Sequence, residues 1–221
     1  MNKYLWIYPT AYFVLWVLLF EFILPANNIL PKPSTVIESV GTLWSEYNLL
    51  YNLLSTIGAI YISIFLAYFV VRFFVHVIGR DNHLFHFIFS LEGISRYIPG
   101  LVLGIFLIYW FPNSELVEFI FAFLTAFLSF TIKINDELRN IPDEYVNSIR
   151  SLGAEEFFIR KNIIWKILQP GIIKHAFLIH KFLWITLIAF EFIKGGFGIG
   201  VIFKKALQYN DLAVIFLTAL I

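Results

Sequence analysis

The stretch Asn140-Ile141-Pro142-Asp143-Glu144-Tyr145-Val146-Asn147-Ser148-Ile149-Arg150-Ser151-Leu152-Gly153-Ala154 opens the longest polar interval, residues 140–170, in a sequence otherwise compatible with lipid. Pro142 stands where a helix can begin without losing a hydrogen bond. Asp143 and Glu144 then place negative charge on the first turn, where the helix dipole favours it. Tyr145, Ile149 and Leu152 recur at i, i+4, i+7 and form an apolar stripe on one face. Gly153 interrupts the pattern. A second amphipathic segment is predicted from Glu155, with Arg160, Lys161 and Lys166 among Phe157, Phe158, Ile164, Trp165 and Leu168, and Pro170 closing it. A short helix, a glycine turn and a second helix between two membrane spans make a rigid knuckle suited to docking on another protein.

Working outward, the composition requires a membrane around that knuckle. Apolar residues make up 60% of the chain and charged residues 14%, against about a quarter charged in soluble domains. Mean hydropathy is +0.81. The expected fold class is therefore an all-α integral membrane protein. The absence of cysteine excludes disulfides and thiolate metal sites. A formal net charge of +1 gives no reason to expect a nucleic-acid partner. The apolar run from Tyr4 to Leu24 follows only Lys3 and shows no small-residue cleavage site, so it reads as a retained span rather than a cleaved signal.

About six transmembrane helices are expected, each needing about 20 apolar residues. The first covers residues 4–24, with Glu21 close enough to its end to reach the interface. Pro25, Asn27, Asn28, Pro31 and Pro33 break the chain. Ser34 or Thr35 is then placed to cap an interfacial helix carrying Val36, Ile37, Val40, Leu43 and Trp44. The second span is expected from Leu53 to Ile78, between Asn52 and Gly79-Arg80-Asp81-Asn82, with Arg72 snorkelling from its end. The third runs from about Ile98 to Phe111 after Arg96, with Pro99, Gly100 and Gly104 in its first turns. A turn at Pro112-Asn113-Ser114-Glu115 leads to the fourth, Leu116 to Ile132. Glu118 lies one turn inside it, near the surface, and Lys133, Asp136, Glu137 and Arg139 lead into the polar loop. The fifth is predicted from about Gly171 to Ile193. Gly195, Gly196, Gly198 and Gly200 then read as a flexible outer loop, in preference to a close approach between subunits. The apolar residues after Asp211 reach only Ile221, so the sixth span looks truncated. Residues 1–46 are assigned to an N-terminal helix with its interfacial segment, and 47–221 to the main domain.

With the N-terminus inside, the inner loops hold Lys3, Arg72, Arg80, Arg96, Lys133, Arg139, Arg150, Arg160, Lys161, Lys166 and Lys174. The outer loops hold Lys32, Lys194, Lys204 and Lys205. That bias places the knuckle in the cytoplasm. Lys181 stands apart. It lies about 15 Å along the fifth span from Gly171, close to the bilayer midplane, where a charge is a functional hypothesis by default. Either Lys181, with His180, attracts an anionic substrate, or it pairs with an acidic group of a neighbouring helix. Glu191, near the outer end of the span, reads as an ion-pair partner or interface anchor and is the third candidate for the pathway. His83 and His86, spaced i, i+3 after Asp81, lack a further ligand nearby and read as solvated loop residues rather than a metal site. No nucleophile–base pair, paired carboxylates or metal cluster appears on any face, and no glycine-rich phosphate loop either. No catalytic site, metal or cofactor is expected on this chain.

The segment Arg150-Ser151-Leu152-Gly153-Ala154, followed by Pro170, resembles the cytoplasmic Glu-Ala-Ala loop of bacterial ABC-importer permeases with type I transmembrane domains. Leu30-Pro31-Lys32-Pro33-Ser34-Thr35-Val36, Arg96-Tyr97-Ile98-Pro99, Trp184 to Glu191, and Gly198-Ile199-Gly200 with Ala206 are similar, in order, to motifs of the nitrate/sulfonate/taurine branch. The resemblance runs from about residue 30 to the end. Asn147-Ser148-Ile149 stand at the Glu-Ala-Ala positions, and Lys166 at the first of two usual prolines. The resemblance implies a coupling helix in which Tyr145, Ile149, Arg150, Leu152, Gly153 and Ala154 dock on an ATP-binding subunit. It implies two such ATPase subunits, a second permease copy, an extracytoplasmic solute-binding protein and a place in the bacterial inner membrane. ATP would be bound by the partners. Two rivals stay open on sequence alone: an ion-coupled secondary carrier using Lys181 and Glu191, and a membrane scaffold that transports nothing.

Overall fold

The computed structural model describes residues 4–24, 30–77, 100–112 and 114–221. Among them every regular element is helical, and three helices are long and apolar enough to cross a membrane: Leu49–His76, Val117–Arg139 and Glu156–Lys194. Two shorter apolar helices, Ile7–Ile23 and Gly100–Trp110, accompany them. An all-α membrane protein is what this architecture supports. The turn at Gly79–Asn82, the histidines His83 and His86, and Arg96-Tyr97-Ile98-Pro99 lie outside the described residues. So do Pro25, Asn27, Asn28 and Asn113.

In chain order the elements are α1 (Tyr4–Val17), running on through a π turn at Leu18–Ile23, α2 (Pro33–Ser45), α3 (Leu49–Val77) and α4 (Gly100–Trp110). They continue with α5 (Val117–Arg139), α6 (Asp143–Ser151), α7 (Glu156–Ile159), α8 (Trp165–Lys194), α9 (Ile199–Gln208) and α10 (Leu212–Leu220). A π turn at Arg160–Ile164 joins α7 to α8 without a break. The helices sort into two compact units, Met1–Ser55 with Glu191–Ile221, and Thr56–Phe190.

The first unit is built on α2, α9 and α10. Leu43, Tyr47, Ile202, Ala206 and Val214 form its buried core. The apolar stripe expected on α2 is split. Val36 and Leu43 are buried, whereas Ile37, Val40 and Trp44 are exposed, so α2 packs on α10 rather than lying alone at an interface. Neither Ser34 nor Thr35 caps it. Lys32 takes that position with Pro33 at the first helical residue, because proline's fixed φ suits the first turn and its missing N–H costs nothing there. The Thr35 hydroxyl instead donates to the Lys32 carbonyl at 2.8 Å. Glu21 accepts from the Ser34 backbone N–H at 3.3 Å. α10 is capped by Asp211, which accepts from the Val214 N–H at 3.0 Å. The Tyr47 hydroxyl lies against the same carboxylate, and burial, reinforced by that charge, raises the phenol above its ordinary value.

The second unit packs α3, α4, α5 and α8 around Ile60, Phe121, Phe130, Ile134, Leu168, Ile172, Ile179, Leu183, Leu187 and Phe190. Phe121 and Phe190 stack with centroids 4.4 Å apart. Gly104 of α4 is what admits that stack, since a Cβ there would come within 2.7 Å of the Phe190 ring.

Four sequence expectations are corrected here. Asn52 does not bound the second span: α3 begins at Leu49, and Asn52 is buried inside it. The fourth span does not stop at Ile132, because α5 continues to Arg139, with Lys133 and Glu137 paired at 2.6 Å along the helix. Glu118 stands in the first turn of α5 as expected, but it is not a peripheral group: its side chain is buried within the protein, 3% exposed. Pro170 closes nothing: it lies within α8. Leu168 and Ile172, both fully buried, fasten the helix to the same core on either side of it, and that packing outweighs the one backbone hydrogen bond proline removes.

Candidate functional site

The knuckle forms as its sequence dictates. Pro142, in an extended conformation, precedes α6; Asp143 and Glu144 occupy the first turn and Arg150 the last, each sign at the end of the dipole that favours it. After Leu152 the chain turns at Gly153, whose φ of +82° lies in the left-handed region that glycine enters without a steric cost. The Gly153 N–H donates to the Arg150 carbonyl at 3.0 Å. Glu155 then starts α7.

No residue of α6 is buried. Tyr145 is half exposed and Leu152 is 85% exposed, while Ile149 and Ala154 are half-buried. Beyond the turn Phe157 and Phe158 are also exposed. The knuckle thus presents exposed apolar groups, Leu152 most of all, the mark of an interaction surface. One feature of it was not legible at sequence level. Arg150 donates through Nε to the Glu156 carboxylate and through a terminal nitrogen to the Asn147 side-chain oxygen at 2.8 Å. The clamp bridges the glycine turn, holding the end of α6 to the start of α7. Its spacing of six residues matches no helical pairing rule, so only the turn brings the partners together.

The pathway candidates fall in different surroundings. Lys181 on α8 is exposed, whereas His180 is half-buried. The Trp184 indole N–H donates to His180 Nε2 at 2.9 Å, and the Tyr61 hydroxyl lies 2.9 Å from the same nitrogen. An indole only donates, so Nε2 is the bare acceptor and the ring proton belongs on Nδ1. Successive helical residues point about 100° apart, so the His180 and Lys181 side chains leave α8 in different directions.

Glu191 is neither an interface anchor nor exposed to a pathway within this chain: it is 0% exposed. Its carboxylate accepts from the Gly200 N–H at 2.9 Å, at the start of α9, where the helix dipole stabilises an anion. Gly198 passes directly over it, and a Cβ at that position would overlap the carboxylate. The Gly198 N–H donates to the Asn52 side chain at 2.8 Å, and Asn52 donates onward to the Tyr47 carbonyl at 2.8 Å. The glycine segment is therefore a hydrogen-bonded turn into α9, not a flexible loop. Asn52 was not among the sequence candidates, and nothing local to it marks a partner 146 residues away.

Among the described residues, no group of three or more His, Cys, Asp or Glu side chains could hold a metal ion. No curated protein matches the chain. A family model described as "Binding-protein-dependent transport system inner membrane component" matches residues 81–221, well over half of the sequence. That interval contains the knuckle, the long helix α8 and the Glu191 turn. The chain accordingly belongs to the family of binding-protein-dependent transport system inner membrane components, with an ABC-transporter type I permease domain.

Proposed function

We propose that this permease subunit carries a small anionic solute of the nitrate, sulfonate or taurine type, and couples to ATPase subunits through residues 141–170. Tyr145, Ile149, Arg150, Leu152, Gly153 and Ala154 form the docking element. Two copies of the chain enclose the pathway, two ATP-binding subunits sit on the cytoplasmic knuckles, and a solute-binding protein delivers substrate from outside. The N-terminus is cytoplasmic. ATP binding draws the ATPase subunits together and moves the knuckles, turning the helices outward-open; hydrolysis resets them. No ATP chemistry is assigned to this chain.

The observation that carries this reading is the 85% exposure of Leu152 at a fixed glycine turn, an apolar side chain held out where only a partner would cover it. The chain has no cysteine, so Leu152→Cys introduces one thiol. In membranes containing the ATP-binding subunit, a thiol-to-amine cross-linker anchored on that thiol should join the two proteins through a lysine of the partner. Absence of a cross-link, with both proteins present, would refute the docking role.

The lean towards an anion rests on exposed Lys181 together with the branch-like motifs. Lys181→Ala should lower uptake of the transported anion at least tenfold, since a hydrogen bond between charged groups is worth about 1.5–3 kcal/mol. Unchanged uptake of every candidate anion by the assembled variant would remove Lys181 from the pathway.

A further inference from the structure

We propose that the aromatic groove between α3 and α8 binds one acyl chain of an anionic phospholipid, whose phosphate is received by Arg72 and Lys161. The groove holds about 470 Å³ and its lining is wholly apolar, with Tyr61, Phe65 and Phe69 on one side and Ile173, Ala176 and Phe177 on the other. A polar solute has nothing to bind there; a hydrocarbon chain does. The length also fits. From Tyr61 to Arg72 the helix rises about 16 Å, close to the depth of one leaflet, half of a hydrocarbon core about 30 Å thick.

The charge lies where a headgroup would be. The Arg72 guanidinium stands 5.8 Å from the centre of the Trp165 ring, and no carboxylate pairs with it among the described residues. Arg72 and Lys161 both lie close enough to His76 for their charges to bear on its ring. Arg160 is tied to the His76 carbonyl, to which its Nε donates at 3.1 Å. The nearby carboxylate, Glu156, is engaged by Arg150. His76 Nε2 is buried and has no hydrogen-bond partner among the described residues. Two cations and an aromatic slot one leaflet deep are what an anionic lipid would satisfy together. A helix of a second copy laid in the same slot would leave the cations unanswered. The inference does not depend on which solute is carried.

The test is lipid retention by the full chain, purified with its accompanying subunits from membranes containing equal phosphatidylglycerol and phosphatidylcholine. The wild type should keep phosphatidylglycerol with a preference of about 25-fold, at about fivefold for each cation near an anionic headgroup. Arg72→Gln should lower the preference about fivefold and Arg72→Lys should keep it. Arg72→Gln with Lys161→Gln should abolish it. Ala176→Phe, which fills the slot, should evict lipid of both classes. Equal retention of the two lipids by the wild type, or an undiminished preference in the double variant, would overturn the proposal. So would disulfide formation between two copies carrying Phe65→Cys in native membranes, because the groove would then belong to a second chain.

Discussion

Leu152→Asp should abolish ATP hydrolysis stimulated by the solute-binding protein, with the permease still folded and present in the membrane. The expectation follows from where the residue stands. Leu152 contributes almost nothing to the core of this chain, so its loss has little to destabilise. In a partner's groove a buried leucine is worth about 2 kcal/mol, and a carboxylate in its place adds an unpaired buried charge costing several more. Docking should weaken by roughly a thousandfold or more, at 1.4 kcal/mol per factor of ten. Gly153→Val tests the same element through the backbone. At a φ of +82° a β-branched residue is strained by about 1–3 kcal/mol, and the turn relaxes by re-aiming Leu152 and Ala154. Normal stimulated hydrolysis in both variants would show that the knuckle is not the point of attachment.

Gly198→Ala should be the most destabilising single methyl addition available in the glycine turn. Its φ of +103° disfavours any side chain, and the new Cβ falls on the Glu191 carboxylate, which is fully buried and has no space to yield into. Backbone strain of about 1–3 kcal/mol adds to a similar loss when the carboxylate is pushed off the Gly200 N–H. The sum, about 3–5 kcal/mol, corresponds to a fall of roughly 10 °C in the unfolding midpoint for a chain of this size. Gly195→Ala is the control. Its φ is also positive, but its Cβ would meet only the Lys204 ammonium at 3.4 Å, the end of a flexible side chain, so about 1 kcal/mol is expected. Adding Glu191→Ala to Gly198→Ala should recover part of the loss, because the obstacle is then absent. Strict additivity of the two substitutions would show that the glycine is not there for the carboxylate.

The all-helical membrane architecture was legible because composition and apolar run length answer to the bilayer directly, and the knuckle because its signals are local. A proline before a helix, acids on its first turn and a glycine after it each act within four residues, and all three appear as read. The failures share the opposite character. Pro170 looked like a stop because its lost hydrogen bond is a local fact, whereas the burial of Leu168 and Ile172 that overrides it is a tertiary one. Glu118 and Asn52 looked peripheral because charge and polarity were judged by position in a run, while their burial depends on helices far away in sequence. The Glu191 turn is the clearest case. Its glycines were correctly noticed, but their reason is a carboxylate and an amide that no spacing rule connects to them. Of the candidate site, the exposed faces of Tyr145 and Leu152 were readable; the Arg150 clamp to Asn147 and Glu156 required the turn to be built first.

The uninterrupted course of the chain from α7 through the π turn into α8 carries a mechanical implication. Residue 181 lies 25 positions beyond residue 156, about 37 Å of helical rise, with no loop between them, only the π turn and Pro170 within continuous helix. A tilt of about 5° imposed at the knuckle would sweep Lys181 through about 3 Å by lever geometry alone, the width of a hydrogen bond. A rod of that length turns a small push at its foot into a change of contacts near its middle.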